Sequence, residues 1–295
     1  MGIWNALFER PAVRPPEEQQ KEQEAKKYDL LKYDGVKAMK IGQTDYAIRC
    51  FQEALKLNDS DLEVRDYLSQ VLLRKGDLDG ALEQLQSLLA NFTGDKGPIL
   101  ERIAQIAYMK EDYDTMSQTC EQYIQLAPDA PQAYYLLHHS LLHKSNPVAA
   151  IAMLTKAIVL NPNFAEAYLS RAQILLGMGD LNAADNDASW LIEHVGAQED
   201  VLLLKARIEA RKGNTEQAIK LYDDLTEVNP FSIEAYRERG QLKFDSGDKA
   251  GAEADMQKVL ELNPNQLANV SGDYSAEGIE HHVRQAYSAI NPLGL

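Results

Sequence analysis

Glycine recurs at a fixed interval in this chain, and the interval limits what the chain can fold into more than any other feature. Gly42 and Gly76 lie 34 residues apart, and so do Gly179, Gly213 and Gly247. Each opens a similar stretch: "GQTDYAIRCFQEALKLND", "GDLDGALEQLQSLL", "GDLNAADNDASWLI", "GNTEQAIKLYDDLTEVNP" and "GDKAGAEADMQKVLELNP". Two stretches of the same phase fill the gap without the glycine, "EDYDTMSQTCEQYIQLAP" from Glu111 and "SNPVAAIAMLTKAIVLNP" from Ser145. One extra residue near Asp95 to Gly97 breaks the register. A period of this length signals a stacked array of small units rather than one closed domain.

A frame of 34 begun at Tyr28 divides the chain into seven units: 28–61, 62–95, 97–130, 131–164, 165–198, 199–232 and 233–266. The eighth place holds Gly35, Ser69, Ala104, His138, Ala172, Ala206 and Gly240. The twentieth holds Ala47, Ala81, Met116, Ala150, Ala184, Ala218 and Ala252. Apolar residues recur at helical spacing on both sides of the glycine, and Pro128, Pro162, Pro230 and Pro264 share the thirty-second place. The pattern predicts a helix, a tight turn at glycine, a second helix and a stop at proline. Small residues at the eighth and twentieth places let the two helices of a unit approach closely.

This arrangement resembles the tetratricopeptide repeat family, over residues 28–266. The resemblance implies an all-α fold, a right-handed superhelical solenoid of antiparallel helix pairs whose first helices line a concave groove. Each unit of such an array buries its apolar face only against its neighbours, so polar end caps are required. Within 267–295, Ile279, Val283, Ala286, Tyr287 and Ile290 form one face, with Ser275 as N-cap and Pro292 as a stop. That predicts a C-terminal capping helix. Residues 1–27 join an apolar stripe (Ile3, Trp4, Leu7, Phe8) to a polar run, "PPEEQQKEQEAKK", that extends the first helix or serves as a spacer. The stripe is read as a frayed or self-packed terminus, with docking to another protein or a membrane surface as the alternative.

Charge and composition narrow the function. A formal charge of −15 disfavours nucleic acid as a partner, because phosphate contacts need a basic face. Cys50 and Cys120 lie far apart with no CxxC, which argues against a disulfide framework or zinc knuckle. No stretch approaches eighteen apolar residues and the start has no basic n-region, so neither membrane insertion nor secretion is expected. A cytoplasmic location is the default. HExxH, GxSxG, Walker and dinucleotide motifs are all missing, and the residues outside the repeats are too few for an enzyme domain. The expectation is a non-enzymatic scaffold that binds protein or peptide without a cofactor.

In the family resembled, ligand contacts usually come from the second, fifth, ninth, twelfth and thirteenth places, on one face of the first helix. The ninth place reads Val36, Gln70, Gln105, His139, Gln173, Arg207 and Gln241. A carboxamide both donates and accepts, so four glutamines in register form a candidate amide ladder for an extended peptide. The competing reading is that Gln is a good helix former on a solvated face. Arg207, Arg211 and Arg237 lie towards the C-terminal half, and Glu63, Asp66 and Glu101 towards the other. Tyr108, Tyr135, Leu142, Leu176 and Phe244 supply apolar area, and His143 joins them at the thirteenth place. The expected groove orients a segment by charge and anchors it on aromatics. Lys32 stands where chaperone-tail binders of the family place a clamp lysine, but Val36 and Tyr67 occupy other clamp places, which argues against that specialisation.

Three of the six histidines fall in "AYYLLHHSLLHKSN". On a helix His139 and His143 share a face, as a metal pair would. Their lateral neighbours Gln105, Tyr108, Met109, Gln173, Leu176 and Gly177 include no good zinc ligand, so a metal-responsive module is the minor alternative. His138 should be partly buried against its partner helix, with a polar contact or a wider helix pair. His139 and His143 are expected in the groove with ordinary imidazole pKa values. A further alternative is a self-assembling component joined through the end repeats or the Trp4 stripe.

Overall fold

A computed structural model describes residues 15–263, which contain fourteen α-helices and, among the described residues, no strand. The chain divides after His143 into two compact units. In the first, α1 (Pro16–Lys40), α2 (Thr44–Leu57), α3 (Leu62–Lys75), α4 (Leu78–Asn91), α5 (Gly97–Met109), α6 (Tyr113–Leu126) and α7 (Pro131–His143) each pack on the next. In the second, α8 (Pro147–Leu160), α9 (Ala165–Met178), α10 (Leu181–His194), α11 (Glu199–Arg211), α12 (Thr215–Val228), α13 (Ile233–Asp245) and α14 (Lys249–Leu262) do the same. Alternate helices also touch: α1 with α3, α5 with α7, and α9 with α11. The stripe Ile3–Phe8 and the expected capping helix around Ile279 to Ile290 lie outside the described residues. The polar run is helical, since α1 begins at Pro16, a residue suited to the first helical position. Within it Lys26 pairs with Glu22 at 2.8 Å, on an exposed face where such a pair contributes only a few tenths of a kcal/mol.

The turns follow from backbone sterics. Gly42, Gly76, Gly179, Gly213 and Gly247 all have positive φ, between 77° and 92°. Glu111 and Ser145, at the same place in the two units that lack glycine, adopt φ of 56° and 55°. The left-handed region costs a side-chain-bearing residue roughly 1–2 kcal/mol, so the fold imposes this turn even where the residue resists it. The residue after the turn starts the next helix. Asp77, Asp112, Asn146, Asp180 and Asp248 each accept a backbone N–H from the third residue onward, which satisfies an otherwise orphaned donor.

Every residue at the eighth and twentieth places is buried. At Gly35 the close approach is literal: a Cβ there would stand 2.6 Å from the Phe51 ring. His138 takes the eighth place in α7 with 2% exposure, its Nδ1 against the Tyr135 carbonyl. Burial, reinforced by neighbouring His139, pushes the His138 imidazole down to about 4 despite that bond.

The seventh place separates the two units chemically. In the first it holds Leu68, Ile103 and Leu137, all buried, after Asp34 in the opening pair. In the second it holds Arg171, Lys205 and Arg239. Arg171 donates to both oxygens of Asp187, at 2.8 and 2.7 Å, and Arg239 to both oxygens of Asp255, at 2.9 and 2.5 Å. Lys205 bonds Asp185. Asp187 and Asp255 are 5% and 4% exposed, so each needs its bidentate partner to offset lost hydration.

Candidate functional site

In the first unit, the groove places of α3, α5 and α7 carry Gln70, Gln105, Tyr108, Tyr135, His139 and His143. Gln70 donates to Asp66 of its own helix at 2.9 Å, and Gln105 more weakly to Glu101 at 3.4 Å. Asp66 also receives Arg102 at 2.5 Å, a partner the sequence reading did not single out. These amides are thus held by carboxylates one turn away. Lys32 is likewise engaged internally, by Asp61 at 2.8 Å and Glu63 at 2.7 Å.

The aromatic residues do assemble. Tyr108 and His139 have ring centroids 4.6 Å apart, Tyr135 meets His139 edge-on at 5.8 Å, and Tyr113 stacks on His143 at 3.9 Å. Tyr113, on α6, was missed because it lies outside the groove places. His139 departs from the expected ordinary imidazole: burial lowers its pKa. Among the described residues no group of three or more His, Cys, Asp or Glu side chains could hold a metal ion.

In the second unit α9 and α11 line a half-open cavity of about 350 Å³. Gln173, Leu176 and Gly177 form one wall, and Asp200, Leu203, Leu204, Arg207 and Arg211 the other. All but Leu204 occupy the five groove places. Gly177 borders open space, since a Cβ there would meet nothing within 4 Å. Arg211 donates to the Leu176 carbonyl at 2.5 Å, which fixes its guanidinium against the cavity wall. Arg207 is gripped from α13: Nε and Nη2 reach Glu238 at 2.6–3.1 Å, and Nη2 reaches Glu234 at 3.1 Å. Burial alone would lower the Arg207 pKa, but Glu238 holds it above the usual guanidinium range. Tyr222 donates to the same Glu238 at 2.6 Å, so this carboxylate neutralises Arg207 from behind. Ligand-facing polarity therefore rests on Gln173, Asp200 and Arg211.

Arg237, Gln241 and Phe244 follow on α13, all partly buried. Gln241 donates to both oxygens of Asp245 at 2.9 Å, while its own Oε1 is buried without a hydrogen-bond partner. A larger hollow of about 640 Å³ lies in the first unit over Leu55, Leu68 and Leu72, rimmed by Lys56, Arg65, Asp77 and Glu83. It is formed partly by second helices and contains none of the groove residues.

These observations define the protein class. Two tetratricopeptide-repeat patterns match the sequence, one at residues 35–96 and 203–266 and the other at 153–186. The chain belongs to the tetratricopeptide repeat family. It is 28% identical over 234 residues to human tetratricopeptide repeat protein 13, covering 75% of this chain and 23% of that protein. It spans less than a quarter of the length of each curated relative it matches. A tetratricopeptide repeat protein from Parabacteroides merdae has a similar structure, with a TM-score of 0.65 at 16% identity over 89% of this chain and 98% of the other. So does YrrB, described as having an unusual peptide-binding site, with a TM-score of 0.51 at 21% identity over 64% and 97%. At these identities the likeness is one of fold. Among the described residues no helix is long and apolar enough to cross a membrane.

Proposed function

We propose that this chain is a non-enzymatic scaffold that holds an extended segment of a partner protein against its first helices, centred on the cavity between α9 and α11. Proteins of this family generally mediate protein–protein interactions, which supports the coarse reading. The cavity supports the finer one. It combines an apolar floor (Leu176, Leu203, Leu204) with a few fixed polar groups, the usual make-up of a recognition pocket. Its volume suits one side chain and the adjoining backbone of a ligand. The Tyr108, Tyr135 and His139 cluster offers aromatic area of the kind that anchors interfaces.

The test is selection of binding peptides from a displayed random library by the intact chain, followed by affinity measurements. Gly177→Phe fills the cavity from an exposed helical position and should weaken the selected peptides at least tenfold, with helicity unchanged. Gly177→Ala should bind as wild type does. Peptides that bind Gly177→Phe as tightly as the native chain would sink the assignment.

A further inference from the structure

The second helices of the pairs turn one face to solvent, and α8 differs there from all the others. Its outward places carry Val148, Ala152 and Val159, with Val148 66% and Val159 68% exposed. The same three places hold Asp45, Arg49 and Lys56 in α2 and Glu216, Lys220 and Glu227 in α12. Every second helix except α8 has an acid at one of them. The exception extends along the sequence: no Asp or Glu occurs between Asp129 and Glu166, in a chain with 45 acidic residues. Lys156 is the one charged residue of α8.

We propose that this face of α8 pairs with α8 of a second copy of the chain, antiparallel across a two-fold axis. Two copies that each carry a net −15 repel almost everywhere, and an acid-free helix is where they approach at least cost. A basic partner would gain nothing from missing acids and would be drawn to other faces. The stripe also suits self-pairing, because a two-fold contact needs a surface complementary to itself. The reversal that sets Val148 opposite the partner's Val159 sets Ala152 opposite Thr155 and Lys156 opposite Ile151. No lysine then faces its own copy, and Ala152 lets the backbones approach. One helical stripe per copy falls well short of the roughly 800 Å² per partner of a standard interface, so the dimer is weak and reversible.

Sedimentation equilibrium of the intact chain, from low micromolar to near-millimolar concentration, should show a monomer–dimer equilibrium. Val148→Glu with Val159→Glu, both at exposed positions, should weaken dimerisation at least tenfold and leave the melting curve unchanged. Pairing geometry is read by disulfide trapping. Mixing a Val148→Cys chain with a Val159→Cys chain should give cross-linked heterodimers. Either variant alone should cross-link poorly, because its thiols would stand about 16 Å apart along the helices. A monomer at every concentration, a dimer indifferent to the glutamates, or efficient Val148→Cys homodimers would each overturn the proposal.

Discussion

The same substitution should have opposite effects at two helical glycines, and the reason is geometric. At Gly35 an added Cβ would lie 2.6, 2.8 and 3.0 Å from three atoms of the Phe51 ring. That ring is fully buried and stacks on Tyr67 at a centroid distance of 5.7 Å, so it cannot swing aside. Overpacking of this kind costs about 1–3 kcal/mol. Replacing a helical glycine by alanine returns about 1 kcal/mol of backbone entropy. Gly35→Ala should therefore lose about 1 kcal/mol. Gly177 is also inside a helix, but its added Cβ meets nothing within 4 Å. Gly177→Ala, in the last turn of α9, should gain up to about 1 kcal/mol. Repeat arrays often unfold in parts, so hydrogen exchange in α1–α2 and α9–α10 should accompany urea titration. Adding Phe51→Leu to Gly35→Ala should cost less than it does in the native chain, by about 1 kcal/mol of coupling. A Gly35→Ala protein as stable as wild type would refute the close-packing argument.

Three further outcomes follow from named groups. Burial would raise the Asp61 carboxyl, but bonds from Lys32 and Tyr28 outweigh it and hold it at about 2. Its folded pKa is thus depressed below an unfolded value near 3.9, so its contribution is present above that value and is lost as pH falls towards 2. Asp61→Asn, which keeps the N-cap, should lower neutral-pH stability by about 2 kcal/mol and flatten the acid limb of a urea-midpoint profile. His138, buried and lowered to about 4, should remain neutral in an NMR titration until well below its unfolded value near 6.5. Stability should fall as pH drops from about 6.5 to 4, and His138→Ala should reduce that slope to the part that His139, also lowered by burial, contributes. Glu111→Gly should gain about 1 kcal/mol in thermal or urea unfolding, because Glu111 occupies a left-handed turn at φ 56°.

Much of the helical plan is legible because it depends on backbone rules. The glycine turns, the Asp and Asn caps and the small eighth and twentieth places can all be read by counting. Gly35 belongs to that set. Side-chain pairing is less legible, since a glutamine in register can face a ligand or its own helix. Gln70 and Gln241 donate to Asp66 and Asp245, choices that rotamers make and spacing does not reveal. Arg207 reads as a groove base from its place alone, whereas Glu238, 31 residues away, neutralises it. The Arg171–Asp187 and Arg239–Asp255 pairs did leave a signal, an equal separation of 16 residues in two units. The pKa of His139 depends on burial, and the Tyr108 ring that packs on it comes from α5, a contact no local pattern encodes.

The exchange of Leu68, Ile103 and Leu137 for Arg171, Lys205 and Arg239 at the seventh place bears on how the chain responds to temperature. Unfolding an apolar contact raises heat capacity, whereas exposing polar groups lowers it. The first unit should therefore have the more sharply curved stability profile and lose more on cooling. The second draws part of its cohesion from ion pairs, whose desolvation penalty shrinks as temperature rises. Warming thus shifts the balance of cohesion within one chain towards its C-terminal unit.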